Sequence, residues 1–599
     1  MASNVTTKWV YSFGGSRSEG GVALRDLLGG KGANLAEMSH LGLPVPPGFT
    51  ITTEVCTYYY AHEQHYPDSL RAEVAAALAE IERTVGASFG SAERPLLVSV
   101  RSGARASMPG MMDTVLNLGV NDATEAALAA ECGDPAFARN THKRFLDLYA
   151  HIVLRSTAPE LDEAQGPAAW RAAIAASCGA EVPADAREQL RNAVRAVFQS
   201  WNSRRAKRYR QHHNIPEDLG TAVTVQAMVF GNLDARSGTG VLFSRNPSTG
   251  AAEPYGEYLP RAQGEDVVSG KFTPQPLTAL GAVLPEALAG LLDAAQTLET
   301  AGRDVQDIEF TIERGQLYFL QSRAAKLAPH AAAHIAVALA EEGLIDRRSA
   351  VTRISPDQVR ILLSPHIRES ALNGARLLAS GEPASPGVGI GYVVCDSDEA
   401  ERRSQIGEPV ILARPTTSPE DLHGMLAARA VVTETGGSTS HAAVVGRALG
   451  LPCVVGCGKG ALQQLAGEMV TVDGRAGKVY AGALEIEAPD ESDHQALARL
   501  AQWATEQSPL RVIPAASAQA DAAVDISDDI DAANPEKIGL AIARVKGARG
   551  VRGGLIASDE GVRAAMQAGL EFIVADPVLP PLLVAVRLAA QADAKVDSA

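Results

Sequence analysis

The sequence predicts a multidomain chain of mixed α/β and α+β architecture, and three observations lead to that fold class. The chain has 599 residues, and at roughly 100–200 residues per domain this length predicts about three to five domains. Strand-like and helix-like stretches alternate from the start of the chain to about residue 325. The composition then changes at Pro383, where loop and turn residues are followed by short strands and few helices.

The composition indicates a globular protein. Lys and Arg number 54 against 70 Asp and Glu, which gives a net charge of −16, and 46% of the residues are hydrophobic. This much apolar surface can form several cores, which excludes disorder as the dominant state, while the negative charge disfavours nucleic acid and anionic membranes as partners. Residues 1–13 lack the features of a signal peptide, and six scattered cysteines do not form a disulfide framework. We therefore expect a cytoplasmic enzyme.

Residues 1–325 are predicted to form one domain in which helices and strands mix. Its helical segments, such as 69–83 and 186–209, carry apolar residues at helical spacing. Its strands are rich in β-branched and aromatic residues and are predicted at 96–101, 222–230, 240–244 and 307–323. The last of these stretches contains Arg314-Gly315 and is predicted to be a hairpin that turns there.

Three further segments follow. Residues 326–382 are predicted to be a helical linker, in which Ser355-Pro356-Asp357 has the order of a helix start. Residues 383–485 are predicted to be a compact domain of short strands with a hairpin at 474–477. Residues 486–599 show only weak strands, at 510–514, 554–557 and 571–575.

The most informative motif lies in the third segment. A strand runs into Gly436-Gly437, the hydroxyl residues Ser438 to Ser440 follow, and a helix is predicted from about His441 to Leu449. An uncharged imidazole is a nucleophile for phosphorus, and a helix N-terminus stabilises the phosphate anion that results. A lone histidine would more often just cap the helix, but the whole motif favours a phosphate-carrying nucleophile.

Two cations lie where they would suit phosphate. Lys31 has Gly29, Gly30 and Gly32 around it, so the backbone there can approach an anion closely. Arg101 closes a predicted strand and its guanidinium is suited to bidentate phosphate contact. On spacing alone, a surface cation or an ion pair is an equally good interpretation of each.

The predicted hairpin carries four polar residues whose positions depend on its loop. Period-two alternation places Asp307 and Glu309 on one face of their strand, and Gln321 and Arg323 on one face of theirs. An odd loop length would bring the four together, whereas a two-residue turn would separate them. The alternative to a binding site is a solvated polar face on an ordinary hairpin.

The motif around His441 resembles the phosphohistidine motif of the pyruvate phosphate dikinase and phosphoenolpyruvate synthase family. Residues 8–49, 98–122 and 246–270 resemble the nucleotide domain of that family, for example in LLGGKGANLAEMSHLGLPVPPGF and VSVRSGARASMPGMMDTVLNLGVND. The resemblance covers residues 8 to about 485. It implies an ATP-grasp nucleotide domain at 1–325 and a swivelling β/α phosphohistidine domain at 383–485.

The resemblance also implies roles for the residues singled out above. ATP would bind at Lys31, Arg101, Asp307, Glu309, Gln321 and Arg323, with Mg²⁺ on Glu309 and Gln321. We therefore expect the odd hairpin loop. Glu265 and Asp266 are weaker candidates, because their loop also resembles the family's nucleotide region.

The family implies a reaction in which His441 attacks the β-phosphoryl group of ATP and AMP is one product. Inorganic phosphate then takes the γ-group, and pyruvate takes the phosphoryl group from the histidine to give phosphoenolpyruvate. Thr439 matches a threonine that is phosphorylated in some dikinases, where a dianion would compete with phosphate on His441. A helix-capping hydroxyl is the favoured interpretation of Thr439 in this chain.

The resemblance fails in the last segment. The family's third part is a (β/α)₈ barrel, typically about 250 residues long, and residues 486–599 resemble only its beginning and end. We therefore expect a truncated barrel remnant, and a second half-reaction that needs another subunit, in a homodimer or a hetero-complex. A phosphotransferase with a different acceptor and a non-catalytic nucleotide-binding paralogue are the alternatives.

Overall fold

The computed structural model describes residues 7–596, apart from 16–17, 107, 109–112, 158, 163, 213–214, 269–273, 364, 419–420, 438–439, 441, 444–445, 447–450, 488–493 and 535. The chain divides into two compact units. Unit 1 comprises residues 1–247 and 251–326, and unit 2 comprises residues 248–250 and 327–599. Among the described helices, none has both the length and the apolar content that a membrane crossing requires.

Unit 1 contains two five-stranded antiparallel sheets, with the strand orders β1-β2-β7-β5-β6 and β10-β9-β8-β11-β12, and β3 and β4 form a short parallel pair. The strands are β1 Val10–Phe13, β2 Gly48–Ile51, β3 Ser88–Phe89, β4 Pro95–Leu96, β5 Val98–Ala104, β6 Thr114–Leu118, β7 Thr221–Ala227, β8 Gly238–Phe243, β9 Tyr255–Pro260, β10 Gln275–Pro276, β11 Gln306–Glu313 and β12 Gln316–Ala324. Each sheet has its own hydrophobic core.

The helices of unit 1 cover these sheets with apolar faces. Helix Ala186–Trp201 is an example, because Leu190, Val194 and Val197 recur at helical spacing and are buried, while the Asp185 carboxylate caps its N-terminus by accepting the Glu188 amide. The helices of this unit are Arg25–His40, Thr53–Ala61, Leu70–Val85, Asp122–Cys132, Pro135–Leu148, Pro167–Cys178, Ala186–Trp201, Arg204–His212, Gly264–Val268, Leu277–Val283 and Pro285–Gly302, with short turns at Val22–Leu24, Tyr149–Val153 and Glu217–Leu219.

The hairpin of β11 and β12 corrects one prediction and explains how its polar residues are arranged. The turn has two residues, Arg314-Gly315, both with positive φ, so the expected odd loop is wrong. The register then shifts after Glu309, because Leu320 has no partner and forms a β-bulge. Beyond this bulge Asp307 lies opposite Arg323, and Glu309 lies opposite Gln321. The extra residue therefore places all four side chains on one face, as an odd loop would have done.

Unit 2 contains an eight-stranded sheet with the order β14-β21-β20-β16-β17-β18-β19-β15. Its strands β16, β17, β18 and β19 are parallel to one another. A two-stranded sheet, β13-β22, lies apart from it. The strands are β13 His366–Ile367, β14 Leu377–Ser380, β15 Glu382–Ser385, β16 Val388–Val394, β17 Val410–Arg414, β18 Ala430–Thr433, β19 Cys453–Val455, β20 Met469–Asp473, β21 Lys478–Ala481 and β22 Ile486–Glu487.

The last part of unit 2 forms a four-stranded parallel sheet, ordered β23-β26-β25-β24, with its own apolar core. These strands are β23 Arg511–Ile513, β24 Val524–Asp525, β25 Gly550–Arg552 and β26 Phe572–Val574. Within the described residues, the helices of unit 2 are Pro329–Glu341, Arg347–Arg353, Pro356–Leu363, Glu369–Leu372, Ser397–Gln405, Leu422–Ala427, Gln495–Gln507, Ile538–Arg544, Asp559–Gln567 and Leu579–Val596, with 3₁₀ turns at Gln463–Leu465, Ala518–Ala522 and Ile530–Ala533.

Two secondary-structure predictions for unit 2 are wrong. Residues 326–382 are not helical throughout: the helix Glu369–Leu372 ends where Asn373 becomes extended, and residues 377–380 join the large sheet by pairing with β21. The strand predicted at 554–557 lies earlier, at Gly550–Arg552, because Gly553 and Gly554 have φ +87° and +56° and end it. The helix start at Ser355-Pro356 is confirmed, since the Ser355 hydroxyl accepts the Gln358 amide.

Gly29 determines how closely helix Arg25–His40 approaches β5. It has φ +66° and interrupts the helix, and a Cβ added there would lie 1.7 Å from the Gly103 carbonyl oxygen. At Gly30 the nearest atom to an added Cβ is 3.6 Å away, which is ordinary contact. Gly29 therefore leaves no room for a side chain, whereas Gly30 leaves room for a methyl group.

We predict that Gly29→Ala lowers the free energy of unfolding of unit 1 by about 2–4 kcal/mol, from backbone strain and overpacking together. Gly30→Ala, the matched control, should change it by less than about 1 kcal/mol. Urea denaturation followed by circular dichroism measures both. Equal stability of the two variants would contradict the assigned backbone conformation.

Candidate functional site

A cavity of about 340 Å³ opens in unit 1 between helix Arg25–His40 and strands β5, β11 and β12. Five of the six residues predicted for the ATP site line it: Lys31, Arg101, Glu309, Gln321 and Arg323. The other lining residues are Arg25, Gly30, Asn34, Ser102, Gly103, Ala104, Arg105, Ala106, Met108, Thr114 and Ser322. Residues separated by nearly 300 positions in the sequence therefore meet in one place.

Lys31 lies in the first helical turn after the interruption at Gly29. Amide groups in such a turn have no acceptor within the helix and carry the positive end of its dipole. Gly30, which also lines the cavity, has no side chain to obstruct a ligand. This end of the cavity is consequently suited to an anion.

Positive charge dominates the cavity. Arg25, Lys31, Arg101, Arg105 and Arg323 line it, and Glu309 is the one carboxylate among the described residues of its wall. Burial, together with the neighbouring Arg101 guanidinium, lowers the pKa of Lys31 from 10.5 to about 7. The cations thus repel one another in the absence of a ligand, and an anion of several charges would relieve that repulsion.

Arg101 joins the two sheets of unit 1 across the cavity. Its Nη1 donates to the carbonyl oxygen of Leu320 at 3.2 Å, and its Nη2 lies 3.4 Å from Oε2 of Glu309. The Leu320 carbonyl is available because Leu320 is the bulge residue. Arg101 therefore binds both the bulge and the carboxylate that the bulge directs into the cavity.

Asp307 has a supporting position. It lies beside the cavity, is largely buried, and accepts a hydrogen bond from Nε of Arg323 at 2.8 Å. Its carboxylate holds the Arg323 guanidinium, whose side chain is 44% exposed, at the cavity wall. A direct contact between Asp307 and a ligand stays a prediction.

Arg25 and Asn34 are among the polar lining residues that sequence reasoning missed. The Asn34 side chain donates to the Ser322 carbonyl at 2.7 Å and so ties the helix to the hairpin. It follows Lys31 by three positions on a helix, a spacing that places two side chains on the same face. That spacing was the available signal for Asn34, whereas nothing in the sequence pattern singled out Arg25.

The donors of Glu309 and Gln321 suit a magnesium ion. The two residues lie directly opposite each other in the hairpin and both line the cavity, so a carboxylate and an amide oxygen are available to a hard cation. Over the described part of the chain, no three His, Cys, Asp or Glu side chains are grouped to hold a metal. Mg²⁺ would therefore need its other ligands from phosphate and water, as it commonly does.

A second cavity of about 340 Å³ adjoins the first and shares Arg101, Thr114 and Glu309 with it. Its other walls are mostly apolar, and include Leu116, Ala227, Met228, Val241, Val267 and Leu320. A polar, cationic chamber thus continues into an apolar one. This combination suits a ligand with a polyanionic end and a flat, weakly polar end.

Asp266, one of the weaker candidates, does not line either of these chambers. Its carboxylate forms hydrogen bonds with the Arg144 guanidinium at 3.2–3.3 Å and accepts the Gln263 amide at 2.9 Å. Gln263 lines the apolar chamber, so Asp266 supports its wall. The side chain of Glu265 lies outside the described residues.

His441 and Thr439, the predicted nucleophile and phosphosite, lie outside the described residues. Their neighbours are described. Strand β18 leads to Glu434, and Gly436 has φ +114°. The Ser440 hydroxyl accepts the Ala443 amide at 3.4 Å, the pattern of a helix N-cap, and Ala442 and Ala443 are buried.

Comparison with known proteins matches two segments of the chain to known families. The family described as "Pyruvate phosphate dikinase, AMP/ATP-binding domain" matches residues 25–66 and 61–281. The family described as "PEP-utilising enzyme, mobile domain" matches residues 406–477, which include the histidine motif. The chain belongs to the pyruvate phosphate dikinase family.

Relatives in this family are similar over most of the chain. Pyruvate, phosphate dikinase of Rhizobium meliloti is 45% identical over 86% of this chain and 62% of its own length. That of Clostridium symbiosum is 44% identical over 84% and 61%, and dikinase 2 of Zea mays is 40% identical over 93% and 65%. The chain thus spans about three fifths of the length of the curated relatives it matches.

The charge state of Lys31 yields a prediction for this member of the dikinase family. At pH 8 the Lys31 amine is mostly neutral in the empty cavity, because its pKa is about 7. Bound phosphate favours the ammonium form and raises this pKa, so binding of MgATP should take up nearly one proton per site at pH 8. Affinity should correspondingly fall as the pH rises above 7.

Calorimetric titration with MgATP, in buffers of different ionisation enthalpy, measures this proton uptake. Lys31→Arg is the matched variant, because its guanidinium stays charged in both states. It should bind MgATP with little proton uptake. Equal uptake by the two proteins would show that Lys31 is not the group that titrates.

Proposed function

We propose that the chain is an ATP-dependent phosphotransferase of the pyruvate phosphate dikinase type, in which residues 1–325 form an ATP-grasp nucleotide domain. The observation that carries this proposal is the pair of joined chambers in unit 1. The cationic chamber has the charge to hold a triphosphate and the apolar chamber has the walls to hold a purine base. His441 is the proposed phosphoryl carrier, in a swivelling domain at 383–485.

The residues of the cationic chamber have distinct roles in this proposal. Lys31, Arg101 and Arg323 stabilise the negative charge of the phosphates, as fixed cations do in phosphoryl transfer. Glu309 and Gln321 hold Mg²⁺, which neutralises phosphate charge when it is bound. Asp307 orients Arg323 through their hydrogen bond.

The resemblance to the family supplies the bond that reacts. A ring nitrogen of His441 forms a bond to the β-phosphorus, the bond from that phosphorus to the bridging oxygen of AMP breaks, and AMP leaves with the electron pair. Inorganic phosphate accepts the γ-phosphoryl group, so the histidine retains the β-phosphoryl group. In a complete dikinase, pyruvate then takes this group and becomes phosphoenolpyruvate.

The second half-reaction is proposed to need another subunit. Residues 486–599 contribute four parallel strands in the described part of the chain, and a closed (β/α)₈ barrel has eight. We propose that these residues are a remnant of such a barrel and that the pyruvate site lies on a partner, in a homo- or hetero-complex. A cytoplasmic location and phosphorylation of Thr439 stay predictions.

The first half-reaction is tested by incubating the protein with MgATP labelled at the β-phosphorus. The wild type should acquire label on histidine and release AMP, whereas His441→Ala should acquire none. Glu309→Gln, which weakens the proposed magnesium site, should lower the labelling rate by roughly 10²-fold or more. Label on His441→Ala, or none on the wild type, would contradict the proposal.

Addition of pyruvate to the labelled protein tests the acceptor. Label that stays on the isolated chain but moves to pyruvate when a barrel-bearing subunit is added would support a divided enzyme. Direct transfer to pyruvate by the isolated chain would contradict the need for a second subunit. Transfer to a different acceptor would leave the nucleotide half of the proposal intact and replace the dikinase half.

A further inference from the structure

A third cavity of unit 1, about 310 Å³ in volume, shares no lining residue with the two nucleotide chambers. It lies against helix Pro135–Leu148 and the start of helix Asp122–Cys132. Its wall includes Asp122, His142, Phe145, Leu146, Arg171 and Val182. The proposed dikinase reaction gives this cavity no role.

A buried histidine forms part of its wall. The side chain of His142 is only 1% exposed, and its Nδ1 lies 2.6 Å from Oε2 of Glu125. The other oxygen of Glu125 accepts a hydrogen bond from Nε of Arg139 at 2.6 Å, so this carboxylate is ion-paired and already held in place. A carboxylate of this kind accepts a hydrogen bond from Nδ1–H and so fixes the tautomer of the ring.

The other ring nitrogen of His142 then carries a lone pair. In the described part of the chain, the hydrogen bond of His142 is the one at Nδ1, and no described residue forms one with Nε2. Burial lowers the pKa of His142, which keeps the imidazole uncharged at neutral pH. An acceptor at the wall of a cavity, in a side chain this buried, requires a donor from a ligand or from water.

The rest of the cavity restricts what that ligand can be. Phe145, Leu146 and Val182 provide apolar wall. Among the described residues that line the cavity, Asp122 and Arg171 form an ion pair that is bidentate at 2.6–2.7 Å, so their charges cancel. The cavity therefore favours an uncharged ligand with an apolar body.

The polar side chains beside His142 are already engaged. The Gln189 amide nitrogen donates to the carbonyls of Val120 and Pro183, and its oxygen accepts the Gly119 amide. Asn121 caps its helix and donates to the Ala184 carbonyl. Nε2 of His142 is consequently the acceptor that a ligand would find.

We propose that this cavity is a second ligand site, separate from the nucleotide site, which takes a compact uncharged molecule with an apolar body and one hydroxyl or N–H donor that bonds to Nε2 of His142. The opposing interpretation is that His142 is a structural core residue whose only purpose is its bond to Glu125. The two interpretations differ in whether loss of Nε2 weakens ligand binding. An experiment that removes Nε2 but keeps the Glu125 bond distinguishes them.

Phenol and anisole are suitable probes, because they have similar apolar bodies and only phenol has a donor. Phenol should bind the wild type saturably and roughly tenfold more tightly than anisole, which is the effect of one neutral hydrogen bond. The matched variant is His142→Asn, because the asparagine amide occupies the position of Nδ1 and can still donate to Glu125. In that variant the preference for phenol should fall to about one.

Ligand-observed NMR gives the two affinities, and thermal unfolding reports whether the variant is folded. Val182→Phe, which fills the cavity and leaves His142 and Glu125 in place, should abolish binding of both probes, whereas His151→Phe, on an exposed position of the neighbouring turn, should leave binding unchanged. The proposal is overturned if wild-type protein does not bind phenol saturably, or if His142→Asn retains the preference. β-Phosphoryl labelling of His142→Asn at the wild-type rate would show that the two sites are independent.

Discussion

The two joined chambers of unit 1, which we propose hold the nucleotide, depend on one extra residue in strand β12. Leu320 has no partner in β11, and the register on either side of it differs by one position. Without that shift the period of two would direct Gln321 and Arg323 to the face opposite Glu309. The freed carbonyl of Leu320 accepts a hydrogen bond from Arg101, so the same bulge that places four polar side chains on one face also attaches the second sheet. Bulges often re-aim side chains in this way beside active sites.

The electrostatics of the cationic chamber follow from this geometry. Bringing Lys31, Arg101 and Arg323 together costs free energy, because like charges close together in a partly buried place repel. Burial is the main cause of the low pKa of Lys31, and repulsion from the neighbouring Arg101 guanidinium lowers this pKa further. Such a chamber lacks enough negative charge of its own and therefore favours binding of a polyanion. A bound triphosphate with its cation would restore the charge balance.

Much of this was predictable from the sequence, and the exceptions have physical causes. The strands that form β5, β7, β8, β11 and β12 were located, because buried strands are rich in β-branched and aromatic residues. The turn at Arg314-Gly315 was also located. The bulge was not, since any residue can occupy a bulge position and Leu320 looks like an ordinary strand residue.

A residue of the site is predictable from the sequence only where its neighbours in the sequence indicate its role. Lys31 stands among glycines and Arg101 closes a strand, so each was a candidate from its surroundings. Asn34 acts through a carbonyl almost 290 positions away, and such a contact exists only in the folded chain. The pair of Glu125 and His142 likewise gives no signal in the sequence, because the two residues lie seventeen positions apart on two different helices.

A crystal structure of the full chain with Mg²⁺ and an ATP analogue that has a methylene group between its α- and β-phosphorus atoms would test the central claim most directly. The account predicts that the phosphates lie within hydrogen-bonding distance of Lys31, Arg101 and Arg323, that the metal contacts Glu309 and Gln321, and that the base occupies the apolar chamber. Phosphates bound elsewhere, or Gln321 and Arg323 turned to the opposite face of the hairpin, would contradict it.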